Sequence, residues 1–337
     1  MTVESTAPHG GPAAPAAPAK GPGAFRRARA LRSVPHAGLL LVLALIVVFA
    51  GASTDTFLTS TNLLNVLQQV SVTAVIAGGL TLLMTAGGMD FSLGSTVAVI
   101  TAVAAQLIDA GHGTWTAVVV CLPLATAIGL VNGLVVTYMK VAPFVVTLAT
   151  ATLLDGVALL VLNGMSVSIG DHLLELGNGS LFGLPNLMVV ALLVLVVIGV
   201  CMRYTTFGRD AFAIGGNEDV ARLSGISVNR NKLVLYGLGG ALAGLAGIML
   251  LARLGASSPG TGGLSLQLTA VAAVVIGGTS LEGGRGSVVG TALGVVLLGV
   301  VANVLNLVGV PSYWQLISVG AVLLVAAVAN QLQRRAR

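Results

Sequence analysis

The chain has 337 residues, of which 56% are hydrophobic and only 8% charged, with a mean hydropathy of +1.00. Soluble domains carry about 25% charged residues, so a water-soluble globule is excluded, and repeated bilayer-length apolar runs mark a polytopic membrane protein. The net charge of +5 comes with no basic stripe interleaved with aromatics, so it reads as the positive-inside bias of a membrane protein and not as a nucleic-acid footprint.

Residues 1–35 are rich in Ala, Pro and Gly and then basic, with Arg26, Arg27, Arg29 and Arg32. Such a segment buries too little apolar surface to order itself, so a disordered tail is expected. "GLLLVLALIVVFAGA" (38–52) follows, with the look of a signal-peptide core and a cleavage-like Ala50-Gly51-Ala52. The many apolar runs beyond it favour a retained first helix, and cleavage would leave the remaining topology unchanged.

Hydropathy places spans near 37–53, 66–86, 92–110, 116–138, 144–163, 186–202, 232–252, 265–278, 287–308 and 313–331. All are expected to be helices, because isolated strands cannot satisfy their backbone in lipid. An N-in, C-in arrangement of ten helices puts Lys140, the cluster from Arg203 to Lys232, Arg285 and the tail from Arg334 to Arg337 inside. Of 16 basic residues only Arg253 falls outside, whereas Asp55, Asp109, Asp171 and Glu175 all do. Cys121 and Cys201 then lie near opposite faces, too far apart for a disulfide. His9, His36, His112 and His172 show no ligand spacing, so neither a metal nor a cofactor is expected.

Two places break this regularity. "TAGGMDFSLGS" (85–95) sets Asp90 among glycines, and the short run 265–278 leads into "GGTSLEGGRGS" (277–287). Each stretch begins with Gly-Gly, holds one acid and ends in Gly-Ser, so broken or re-entrant helices are expected near 87–95 and 277–287. Such breaks in corresponding places of two halves mark the pathway region of many transporters, although glycines also simply permit close helix packing. Asp90 precedes the third span, where its carboxylate is expected to cap free backbone N–H groups.

The longest polar stretch after the tail is "RYTTFGRDAFAIGGNEDVARLSGISVNRNK" (203–232). Asn217 or Glu218 is expected to cap a short helix running through Ala221 to Ser224, with Gly225 ending it. A short cytosolic helix of this kind suits docking a partner; an ordinary solvated loop is the plainer reading.

The loop resembles the cytoplasmic signature of permease subunits of ATP-binding-cassette importers, where a coupling helix sits in a groove of the ATPase. The usual Glu-Ala-Ala followed three residues later by Gly is stretched here by one residue between Glu218 and Gly225, with Asp219-Val220 in place of the alanines. More extensively, "GGMDFSLGS", "NGLVVTYMKVAPFVVTLAT", "GRDAFAIGGNEDVARLSGI", "AAVVIGGTSLEGGRGSVVGT" and "NLVGVPSYWQLISVGAVLL" resemble the ribose/xylose-type branch of sugar importer permeases, in order, from about 37 to 333. The resemblance implies a single permease domain over 36–333 in a bacterial cell membrane, working as a homodimer. It also implies a separate cytoplasmic ATPase subunit and an extracellular solute-binding protein that delivers a monosaccharide. Gly215, Gly216, Asn217, Glu218, Asp219, Ala221, Arg222, Ser224 and Gly225 would then form the ATPase-coupling segment. The family often has Arg where this chain has Asp155, and an acidic pair where this chain has "LSLQLTA" with Gln267.

A neutral sugar needs hydrogen-bonding groups along its path. Besides Asp90 and Asp155, the intramembrane candidates are Ser92, Ser95, Thr96, Gln106, Asn132, Asn303, Asn306 and Gln315, any of which can instead be interhelical glue. No GxxxxGK[ST] and no Ser-His-Asp arrangement occurs, so the chain is expected not to be an enzyme, and energy must come from another subunit or an ion gradient. Two classes stay open: the importer permease, and an ion-coupled secondary transporter using Asp90, Asp155 or Glu282.

Overall fold

Apolar runs without Asp, Glu, Lys or Arg fold as helices in which hydrophobic side chains cover every face, since the surrounding solvent is as apolar as the core. A computed structural model describes residues 36–311, 313–314, 317–321 and 324. In chain order its helices are α1 (Ala37–Ser53), α2 (Ser60–Thr85), α3 (Leu93–Asp109), α4 (Thr114–Tyr138), α5 (Pro143–Leu162), α6 (Leu174–Asn178), α7 (Asn186–Tyr204), α8 (Thr206–Gly216), α9 (Glu218–Leu223), α10 (Val228–Leu254), α11 (Gly263–Ile276) and α12 (Val288–Leu307). Four two-residue strands lie between them: β1 (Val167–Ser168) pairs with β4 (Ala256–Ser257), and β2 (Ser180–Leu181) with β3 (Leu184–Pro185), both antiparallel.

The helix starts follow from local side chains. Thr59 caps α2 by accepting from Asn62 N, Thr205 caps α8 through Gly208 N, and Ser287 caps α12 through Gly290 N. Pro143 opens α5, where its missing N–H costs nothing.

Helices α2 and α10 form the centre of the bundle, and α3, α11 and α12 pack onto them; α4, α5 and α7 lie outside and leave most of their side chains uncovered. The tightest seam joins α4 to α10. A Cβ on Gly240 would sit 3.1 Å from Gly129 Cα, so only paired glycines let these backbones approach so closely. The bundle from Gly38 onward is one compact unit.

Its two ends differ in charge. One carries Lys140, Arg203, Arg209, Arg230, Lys232 and Arg285 and is termed the basic end; the other carries Asp55, Asp109, Asp171 and Glu175 and is termed the acidic end.

Among the described residues, six helices are long and apolar enough to cross a membrane: α2, α4, α5, α7, α10 and α12. The expected spans at α1, α3 and α11 are also apolar helices, of 17, 17 and 14 residues, and α11 is too short to cross the bilayer alone. The tenth expected span, 313–331, lies largely outside the described residues, as does the tail 1–35.

The short helices α3 and α11 have a common construction. Helix α2 runs to the basic end, and residues 86–92 then turn back and lead, without helix, to the start of α3. Helix α10 runs to the acidic end, and residues 255–262 turn back to the start of α11. The two half-helices thus enter from opposite ends, and their N-termini meet: Gly94 N donates to Gln267 Oε1 at 2.9 Å. The first break falls where expected, but the second does not. The stretch 277–287 is a turn at the basic end joining α11 to α12, and the break lies before α11, in "GASSPGTGG" (255–263). Both stretches nevertheless contribute to the glycine contact described below, the first through Gly87 and the second through Gly283 and Gly284.

Candidate functional site: a re-entrant centre linked to an exposed short helix

Asp90 is fully buried beside the start of α3. Its Oδ1 accepts from Ser92 N at 2.8 Å and from Ser92 Oγ at 2.6 Å, which forms a tight turn before the helix. Asp90 thus takes up a free backbone N–H as expected, that of the Ncap residue Ser92, while the N–H of Gly94 inside α3 is taken up by Gln267 from α11.

From this turn a polar chain spreads through the bundle. Asn132 Nδ2 on α4 donates to Ser92 Oγ at 2.8 Å, and Thr150 Oγ1 on α5 donates to Asn132 Oδ1 at 2.7 Å. Gln267 Nε2 donates to the Asp90 carbonyl at 2.7 Å, and the Tyr236 hydroxyl on α10 donates to the Met89 carbonyl at 3.0 Å. A backbone turn deep in the bundle has carbonyls and amides that lipid cannot satisfy, so α4, α10 and α11 supply side chains to it, and α5 supports Asn132 from behind. Asp90, Ser92, Ser95 and Asn132 are at most 1% exposed and line neither cavity described below.

Other expected pathway residues fall elsewhere. Asn303 exchanges two hydrogen bonds with Asn62, at 2.8 and 3.0 Å, tying the end of α12 to the start of α2. Thr96 Oγ1 donates back to Ser92 O, and Gln106 Nε2 to Val161 O on α5. Asn306 is exposed at the acidic end, and Gln315 is outside the described residues.

Two cavities flank the segment 258–265 that leads into α11. One, of about 280 Å³, is lined by Asp155 and Ala158 of α5, Ala98 of α3, and residues 258–265. The other, of about 640 Å³, is mainly apolar and includes Gln69, Thr73, Arg253, Thr261, Ser265 and Thr269. Composition gave no hint of either. Gln267, Tyr236 and Thr150 were also not singled out as site residues, because their partners are far away in the chain.

At the basic end the chain from α7 to α10 is built around α9. Asn217 is its Ncap, accepting from Val220 N at 3.0 Å. Glu218 pairs with Arg222 at 3.1 Å and with Lys232 of α10. The Lys232 hydrogen bond holds the Glu218 carboxyl below the usual carboxylate range, opposed by partial burial. Ala221 is buried, Asp219 lies in the first turn, Ser224 donates back to Val220 O, and Gly225 leaves the helix at φ 86°. The opposite face is uncovered: Val220 is 56% and Leu223 89% exposed.

Just before α9, Gly215 in the last turn of α8 sits inside a three-way backbone contact. Gly284 N donates to Thr85 O at 2.9 Å, and a Cβ on Gly283 would sit 2.8 Å from both Gly215 Cα and Gly87 Cα. A Cβ on Gly215 would overlap Thr85 O and Gly284 N, whereas one on Gly216 would meet nothing within 4 Å. The helix preceding α9 therefore touches the turn that leads into α3 and the turn that follows α11.

Comparison with known proteins places these features. Residues 62–327 match the family model described as branched-chain amino acid transport system / permease component. The chain is similar to the ribose import permease protein RbsC of Escherichia coli strain K12, at 42% identity over 296 residues, covering 86% of this chain and 92% of the relative. RbsC of Bacillus subtilis strain 168 is 39% identical over 87% of this chain and 92% of its own. The L-arabinose transport system permease protein AraH of Escherichia coli strain K12 is 32% identical over 89% and 92%. No solved structure matches the chain.

Proposed function

The chain belongs to the branched-chain amino acid transport system / permease component family, and from that premise we propose that it is the permease subunit of an ATP-binding-cassette importer that carries a monosaccharide across the bacterial cell membrane. The relatives named above transport ribose and arabinose, and their likeness extends over nearly the whole chain, which supports a sugar over an amino acid. The chain is a multi-pass membrane protein and a translocation subunit, not an enzyme.

The observation that carries the finer reading is α9. It is a six-residue helix, capped by Asn217, pinned by Glu218–Lys232, and presenting exposed Val220 and Leu223. Apolar side chains on a polar segment suit a docking surface, and the surrounding positive charge supports a cytoplasmic location for this end. A separate ATPase subunit docks here, on Asn217–Gly225. The acidic end then faces outward and receives the loaded solute-binding protein. The uncovered apolar faces of α4, α5 and α7 meet lipid or the second copy of a homodimer.

Coupling runs through the glycine contact. ATP-driven closure of the ATPase moves α9; Gly215 carries that motion to residues 86–88 and 282–284, and so to both half-helices at once. Helix ends that meet at the centre can open or close a path with small rigid-body shifts.

Replacing Leu223 with aspartate tests the docking. Loss of one buried leucine contact, about 1.5–3 kcal/mol, predicts roughly tenfold or greater weakening of ATPase association with the permease folded. Unchanged association on co-purification would remove α9 from the interface.

A further inference from the structure

Asp155 sits on α5 seven residues before its end at Leu162, which places it about 10 Å inside the acidic end. Its carboxylate has no hydrogen bond or ion pair among the described residues, and it lines the 280 Å³ cavity. The facing wall is the segment that carries the Ser258, Thr261 and Ser265 hydroxyls and ends in Gly262 and Gly263. A Cβ on Gly263 would stand 3.5 Å from Asp155 Oδ1, an ordinary contact distance, so the acid lies against the start of α11.

Acids within a membrane-spanning helix almost always face the bundle interior or a water-filled cavity. Asp155 faces such a cavity, and the wall opposite it carries hydroxyls among mainly apolar neighbours.

We propose that this cavity is part of the solute path, with Asp155 as its specificity-determining residue: it accepts hydrogen bonds from hydroxyls of neutral polyols and repels anionic solutes such as sugar phosphates. The inference deepens the reading of the chain as a sugar permease, but it rests on electrostatics that can be read without ATP or any partner.

Ser265→Cys places a thiol on the cavity wall in a Cys201→Ser background, since Cys121 is buried. Modification rates are measured in membrane vesicles with a cationic (trimethylammonium-ethyl) and an anionic (sulfonatoethyl) methanethiosulfonate. The cation-to-anion rate ratio is expected to fall about tenfold when Asp155→Asn is added, from Coulomb interaction across a few ångströms of partly aqueous space. Asp155→Glu is expected to keep the ratio, which also serves if the asparagine variant folds poorly. A ratio indifferent to the charge at 155, or a thiol that neither reagent modifies, would overturn the proposal. Failure of ATP-driven transport with the charge effect intact would instead count against the importer reading alone.

Discussion

Gly215→Val is expected to abolish coupled transport while the permease still assembles with its ATPase. The β-carbon would overlap Thr85 O and Gly284 N, two backbone atoms that cannot rotate away. Forced overpacking of this kind costs about 1–3 kcal/mol even where the surroundings yield. Here, yielding means parting α8 from the turn at 86–88, the turn at 282–284, or both. The link between α9 and the half-helices is then loosened, and solute uptake per ATP hydrolysed should fall tenfold or more. Gly216→Ala is the control. It lies one residue along, and its Cβ would meet nothing within 4 Å, so full coupling is expected. Equal behaviour of the two variants in reconstituted vesicles would sever the proposed route.

The second large effect is at Asp90. Asp90→Leu leaves Ser92 N and Ser92 Oγ without their acceptor in a fully buried turn. Two unsatisfied buried donors cost about 2–4 kcal/mol together. The loss should spread to Asn132 and Thr150, whose hydrogen bonds are aligned by the same hydroxyl. Asp90→Asn keeps an acceptor oxygen in place and should be mild. Thermal unfolding in detergent should separate the two variants by several degrees. If both folded normally and both lost transport equally, the negative charge itself would be required, and the turn-forming role would not explain the residue.

Much of this was legible because bilayer physics is simple. Hydropathy alone finds the long apolar helices from Ala37 to Leu307, with ends within a few residues except at the starts of α2 and α10, but not the short α6, α8 and α9. The break at Asp90 was legible because an acid among glycines is conspicuous in an apolar chain. Its counterpart was not: "GASSPGTGG" carries no charge and looks like an ordinary outer loop. Only its contacts with α3 place it deep in the bundle, with Ser257 Oγ donating to Thr101 Oγ1 at 3.1 Å. The capping of Asn217 is a local matter and could be read from neighbours. Gln267 serves a turn 177 positions away, and no local pattern encodes that. Asp155 drew notice as a charge, but the space it faces is formed by a segment over one hundred residues later.

The central claim is that this permease moves solute with energy from a separate ATPase. The direct measurement is uptake into proteoliposomes holding the chain with its ATPase subunit, supplied with its binding protein loaded with the sugar that protein retains. Uptake should require hydrolysable ATP and should persist when proton and sodium gradients are collapsed. Uptake by the chain alone, driven by an imposed ion gradient without ATP, would contradict the account.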